Sequence, residues 1–306
     1  MLHLRLVSAA ILIASMALLI YMDSQSSKEL HGLWLIPAGL FFVAGTSLEF
    51  GRLAHSKWGL RYTDSLLGAM AVFLATSTPI LYPLFMQKAY PADCPIGKLG
   101  LPLVAFLLCM SLFAVRMLRD FDHHRELSLL RWGLATLITA YVGFGASFWI
   151  LIRTYQPNTW SLWALVGILA TTKISDAGAY FVGKSIGSRK LCPTISPGKT
   201  VEGALGGLAS GVFFAWFWFS FLLPSLFQAE AYPSHTLTTI FFGFLLTIVG
   251  MLGDLVESVA KRSVGSKDSG STLPGLGGIW DVTDSILPTA VAGYLGIVAD
   301  LIWMPA

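Results

Sequence analysis

Apolar and polar residues fall in long blocks along this chain. Nine apolar runs stand out, at 5–22, 33–50, 65–86, 99–116, 131–152, 160–182, 203–226, 237–256 and 285–304. Each is close to the ~20 residues with which an α-helix crosses a bilayer's hydrocarbon core. Membrane β-strands would read as segments of about ten residues with alternating polarity. The pattern therefore predicts an all-α, polytopic integral membrane helical bundle with about nine transmembrane helices. The first run has a thin basic flank, His3 and Arg5, and no clean small-x-small cleavage site before the polar Asp23–Lys28 stretch. It is expected to stay as a span and not to be removed as a signal peptide.

The basic residues then predict orientation. Placing the N-terminus in the cytoplasm puts 15 of the 20 Lys and Arg residues in the N-terminus and inner loops, against 4 in the outer loops. Lys173 lies inside the sixth run. That asymmetry is the positive-inside pattern, and Trp160, Trp163, Trp280 and Trp303 fall near span ends, where interfacial anchors belong. A multi-pass protein of the bacterial inner-membrane type is expected, with its inner loops in the cytoplasm.

Composition narrows the class further. The chain has 306 residues, 55% hydrophobic and only 12% charged, about half the charge of a soluble domain. This excludes an ordinary soluble enzyme, a disordered chain and a disulfide-knit secreted domain, and no nucleic-acid partner is expected. Cys94, Cys109 and Cys192 form no CxxC and no zinc spacing. His123 and His124 lack the i, i+4 spacing of helical ligands and read as a solvated turn.

Polar residues within the spans concentrate after about residue 160. The chain thus divides into N-terminal transmembrane helices, 1–159, and a chemistry-bearing region, 160–306, with long loops at 183–202 and 257–284. In the sixth span Lys173 and Asp176 are three apart and share a helix face; ionisable groups there are costly and often functional, though a self-neutralising pair reads equally well. The next loop contains Ser196, Lys199, Thr200 and Glu202. Gly198-Lys199-Thr200 is not a Walker A motif, because Pro193 stands where its first Gly is required. What remains is a Gly-rich cationic loop ending at a helix start, suited to a phosphate. Gly203, Gly207 and Gly211 form a small-xxx-small row for close helix packing.

The densest constellation spans residues 254–284. Asp254, Ser258 and Lys261 share one helix face, followed by Arg262, Lys267, Asp268, Gly277, Gly278, Asp281 and Asp284. Asp281 and Asp284 are three apart; in a helical turn they would point the same way and could share a hard cation such as Mg²⁺ with phosphates. Capping alone would not call for five acids and three bases within 31 residues.

These residues resemble the phosphatidate cytidylyltransferase family. Its signature, Ser-x-apolar-Lys-Arg, four residues, Lys-Asp, then Pro-Gly-x-Gly-Gly and Asp-x-x-Asp, runs here from Ser258 to Asp284. Two positions depart: Leu276 replaces the usual His and Val282 the usual Arg. Segments around Asp176–Gly183 and Ser196–Gly203 also resemble the family, so similarity covers roughly 170–290. The resemblance implies transfer of CMP from CTP to phosphatidic acid, giving CDP-diacylglycerol and pyrophosphate. It implies Mg²⁺ and a second cation, K⁺ or Mg²⁺, and a homodimer in the lipid bilayer. On this reading Asp254, Asp281 and Asp284 hold metal, with Lys267 and Asp268 completing that site. Ser196, Lys199, Thr200, Lys261 and Arg262 bind phosphates, Asp176 orients a base or a neighbouring ligand, and Glu202, Ser258, Gly277 and Gly278 belong to the substrate site. The glycine row at 203–211 offers one dimer face. Two other readings stand beside it: a transporter using Lys173, Asp176 and Asp254 as an ion path, and an inactive scaffold, motivated by Leu276 and Val282.

Overall fold

A computed structural model describes residues 2–27, 30–88, 90–91, 94, 97–123, 125–228, 236–275 and 277–305. The expectations at Leu276 and His124 lie outside the described residues. Each of the nine apolar runs carries a helix, the last ending short of its run at Val298: α1 (Leu2–Ser24), α2 (Leu35–Trp58), α3 (Tyr62–Met86), α4 (Gly97–Arg119), α5 (Ser128–Ile138) running through a π-helical turn into α6 (Gly145–Arg153), α7 (Trp160–Ile186), α8 (Val201–Phe217) running likewise into α9 (Leu223–Leu226), α10 (Thr236–Ser263), and the short α11 (Trp280–Thr283) before α12 (Ile286–Val298). Among the described residues, six segments are long and apolar enough to cross a membrane by length and composition. On α4, Leu103, Leu107, Leu108, Leu112 and Val115 are all exposed. A helix apolar on its outer face is one built for lipid.

Contacts group the chain into two compact units, Met1–Pro157 with Ser263–Thr283, and Asn158–Arg262 with Asp284–Ala306. In the first unit, Gly39 lets α2 lie directly on Phe73 of α3, where a Cβ would come within 2.1 Å of the ring. Asp23 and Arg153 form a fully buried ion pair at 2.5 Å, and Asp23 also accepts the Gly32 N–H at 2.6 Å. Removing one partner of such a pair strands a buried charge and costs about 3–5 kcal/mol.

In the second unit, the glycine row does pack helices, and its partners lie within the chain. A Cβ at Gly203 would meet the Ala179 carbonyl at 2.8 Å, one at Gly207 the Ser175 carbonyl at 2.8 Å, and one at Gly211 the Thr247 hydroxyl at 2.4 Å. α7 and α10 thus already cover this face, which corrects the expectation that it serves a dimer. The 183–202 segment is also more ordered than a loop. β1 (Lys190–Cys192) and β2 (Ser196–Thr200) pair antiparallel, Lys190 opposite Thr200 and Cys192 opposite Ser196. Pro197 is tolerated because a strand in a two-stranded ribbon is always an edge strand. Thr200 then ends the hairpin as the N-cap of α8, its hydroxyl accepting the Gly203 N–H at 3.1 Å.

Candidate active site

α10 carries the first acids of the site on adjacent turns of its second half. One carboxylate oxygen each from Asp254, Glu257 and Asp284 lie within 4.8 Å of one another. The approach depends on Gly253, where a Cβ would sit 2.3 Å from the Asp284 carbonyl oxygen. Asp284 occupies the turn before α12 and is only 5% exposed. Burial pushes its carboxyl up to about 7; the neighbouring Asp254 charge raises it further, while Lys173 pulls it down. Three carboxylates so close repel one another unless a proton or cation intervenes. Their oxygen donors suit Mg²⁺, which is held by a few carboxylates together with water and substrate phosphates. The donor set therefore fits the implied metal.

Cations of the chain surround this cluster. Lys199, on β2, places Nζ 2.7 Å from Asp254 Oδ2. Lys261 donates to Glu257 Oε2 at 2.8 Å. On α7, Lys173 donates to Asp176 at 3.3 Å and to the Ser285 hydroxyl at 3.0 Å, and that hydroxyl lies 3.3 Å from Asp176. Arg262 Nε donates to the Ile195 carbonyl in the hairpin turn at 3.2 Å. The second unit thus brings together Asp176, Lys199, Asp254, Lys261, Arg262 and Asp284. Ser258 is buried on the same helix. Ser196 lies in the hairpin register, and Thr200 spends its hydroxyl on the α8 cap. Glu202 accepts the Ser188 hydroxyl at 2.8 Å and the backbone N–H groups of Ser188 and Arg189 at 3.1 Å, closing the turn into the hairpin.

The remaining motif residues belong to the first unit. Asp281 Oδ2 accepts the Ser269 hydroxyl at 2.8 Å and the Gly278 N–H at 2.7 Å. Gly277 adopts φ +99°, a conformation that favours glycine, and bridges to Leu273. Lys267 and Asp268 are exposed. Holding this segment is a residue absent from the sequence-derived site. Glu49 of α2, 3% exposed, accepts the N–H groups of Ile279 and Trp280, both at 2.9 Å, and the Thr272 hydroxyl at 2.6 Å. Phe50 stacks on Trp280 at 4.0 Å. The available signal was an acid inside an apolar run, which is costly unless it has a task. Glu257, which completes the carboxylate cluster, is likewise absent from the sequence-derived site. Its spacing of four from Lys261 reads as an ordinary helical ion pair.

Comparison with known proteins places the chain in a family. Residues 3–299 match the cytidylyltransferase family. The phosphatidate cytidylyltransferase of Bacillus subtilis is 34% identical over 251 residues, covering 81% of this chain and 83% of that protein. Its namesake in Helicobacter pylori is 35% identical over 281 residues, 92% of this chain and 93% of the other. In Synechocystis the identity to the protein of that name is 31% over 297 residues, 84% of this chain and 94% of the other. The family match runs through the N-terminal helices as well as the motifs, and the relatives' names favour neither a transporter nor a scaffold. The chain belongs to the cytidylyltransferase family.

Proposed function

We propose that this membrane protein transfers CMP from CTP to phosphatidic acid. A phosphate oxygen of phosphatidic acid attacks the α-phosphorus of CTP, the bond from that phosphorus to the bridging oxygen breaks, and pyrophosphate leaves with the electron pair. The product is CDP-diacylglycerol, and no protein nucleophile is needed. The observation that carries the reading is the Asp254–Glu257–Asp284 cluster lying within a chain matched by the family almost end to end.

Two anions must meet in this reaction, so charge neutralisation and alignment are the main work. Asp254, Glu257 and Asp284 would hold Mg²⁺, which supplies Lewis-acid neutralisation of the phosphates. Lys199, Lys261 and Arg262 bind phosphate oxygens, helped by Ser196 and Ser258, while Lys173, Asp176 and Ser285 hold the Asp284 turn in place. Asp281, Lys267, Asp268, Gly277 and Gly278 carry the same motif and are assigned to metal and substrate handling on that ground. Sequence charge supports nine spans, a cytoplasmic N-terminus and a cytoplasmic active site. The division into 1–159 and 160–306, a second cation (K⁺ or Mg²⁺) and a homodimer complete the reading. The lipid substrate explains the membrane setting, because its tails stay in the bilayer while CTP arrives from water. The test is pyrophosphate release by purified protein from CTP and phosphatidic acid. Release should require both the lipid and Mg²⁺; no release with both present removes the reading.

A further inference from the structure

Three arginines that the charge pattern assigns to sidedness meet around one cavity of about 430 Å³ in the first unit. Arg61 immediately precedes α3, Arg116 lies in the last turn of α4, and Arg131 in the first turn of α5. Asp64 and Asp120 also line the cavity, leaving one positive charge in excess. Arg116 pairs with Asp64. Arg131 is aimed by its bond to the Trp58 carbonyl at 2.7 Å and passes over Gly59, where a Cβ would lie 2.6 Å from the guanidinium. Arg61 is exposed at the rim.

The cavity has the chemistry of an anion site with an apolar floor. α3 and α5 begin at it while α2 and α4 end at it, so the helix-end dipoles offset one another and the positive charge comes from the arginines. Guanidinium groups match phosphate oxygens bidentately. Leu60, Phe113 and Ala135 are buried below, and Trp132, on the wall, donates to the Met110 carbonyl at 3.1 Å. Basic pockets between membrane helices bind phospholipid headgroups. We propose that this cavity binds a phosphate-bearing anion, a use of these arginines that the proposed reaction does not require. An apolar floor beneath a basic rim suits the headgroup and glycerol of a membrane phospholipid; a free phosphate shares the same chemistry.

The test uses the full chain in a neutral detergent, titrated in separate arms with dihexanoyl phosphatidylglycerol and with inorganic phosphate. The first is a phosphodiester and has no phosphate monoester to attack CTP. Wild type should bind the lipid more tightly than phosphate. Arg61→Gln should weaken binding about tenfold, Arg61→Lys should restore part of it, and CTP turnover with phosphatidic acid in phosphatidylcholine nanodiscs should stay unchanged in both. Tighter, Arg61-dependent binding of phosphate would support the pocket and assign it a soluble ligand. No binding in either arm, or equal binding by wild type, Arg61→Gln and Arg131→Gln, overturns the proposal. Arg61 lies at the exposed rim, so its variant reports on binding even if Arg131→Gln fails to fold.

Discussion

Lys199 Nζ lies 2.7 Å from Asp254 Oδ2, so a cation of the chain stands on one of the acids expected to hold the metal. The two charges compete for the same oxygen. Lys199→Gln should therefore tighten Mg²⁺ binding by about tenfold, since one repulsive neighbour is gone. The same change should lower CTP turnover by about a hundredfold, the usual loss when a donor to a reacting phosphate is removed. Calorimetric Mg²⁺ titration beside a turnover assay checks both signs. Weaker metal binding in the variant would place Lys199 outside the metal's surroundings.

Glu49→Gln keeps the size of the side chain and removes part of its accepting capacity. Both Glu49 oxygens face N–H or O–H donors, so an amide NH₂ must oppose one of them. A buried donor left without its acceptor costs about 1–3 kcal/mol. The variant should melt several degrees lower, and its turnover should drop about tenfold. Unchanged melting and unchanged turnover together would show that Glu49 does not hold the 269–281 segment.

The metal response should depend on pH. Burial and the neighbouring Asp254 charge push the Asp284 carboxyl up to about 7 in the folded chain, against 3.8 ordinarily. Between those values the folded state holds a proton that the unfolded state has lost. The group's contribution to stability therefore falls as pH rises from about 4 to about 7. A divalent cation competes with that proton for the same oxygens. The rise in melting temperature on adding Mg²⁺ should be small at pH 5 and large at pH 8. A rise of equal size at both would refute the assignment of Asp284 as a ligand.

Gly253→Ala should damage the site without touching a charge. Its Cβ would lie 2.3 Å from the Asp284 carbonyl oxygen and 2.6 Å from Pro288, and overpacking of this kind costs about 1–3 kcal/mol. Gly133→Ala is the control, because nothing lies within 4 Å of that position. Thermal melting should fall for the first and hold or rise slightly for the second. Turnover should fall only for the first.

The apolar runs and the 254–284 motif were legible because lipid makes polarity scarce, so each charge within or beside a span carries information. Asp254 and Asp284, two of the three clustered carboxylates, were readable from the motif's acids. Glu257 was not, because its contact with Lys261 gives a helical ion pair a complete local explanation. The hairpin at 190–200 was hidden by its Gly, Ser and Pro content, which reads as loop whether or not two short segments pair. Glu49 had a local signal but no local partner. Its contacts are set by the tertiary fold, and nothing near residue 49 announces residues 272–280.

The Glu49 clasp also bears on how the protein is made. Glu49 and Trp280 are separated by 231 positions, so most of the polypeptide leaves the ribosome before the second residue exists. At about 5–20 residues per second, α2 waits some tens of seconds for the segment it will shape. A C-terminal fragment made alone should therefore leave residues 269–281 open to protease. Co-expression with a fragment spanning α1–α6 should restore protection if the early helices act as a template for this late segment.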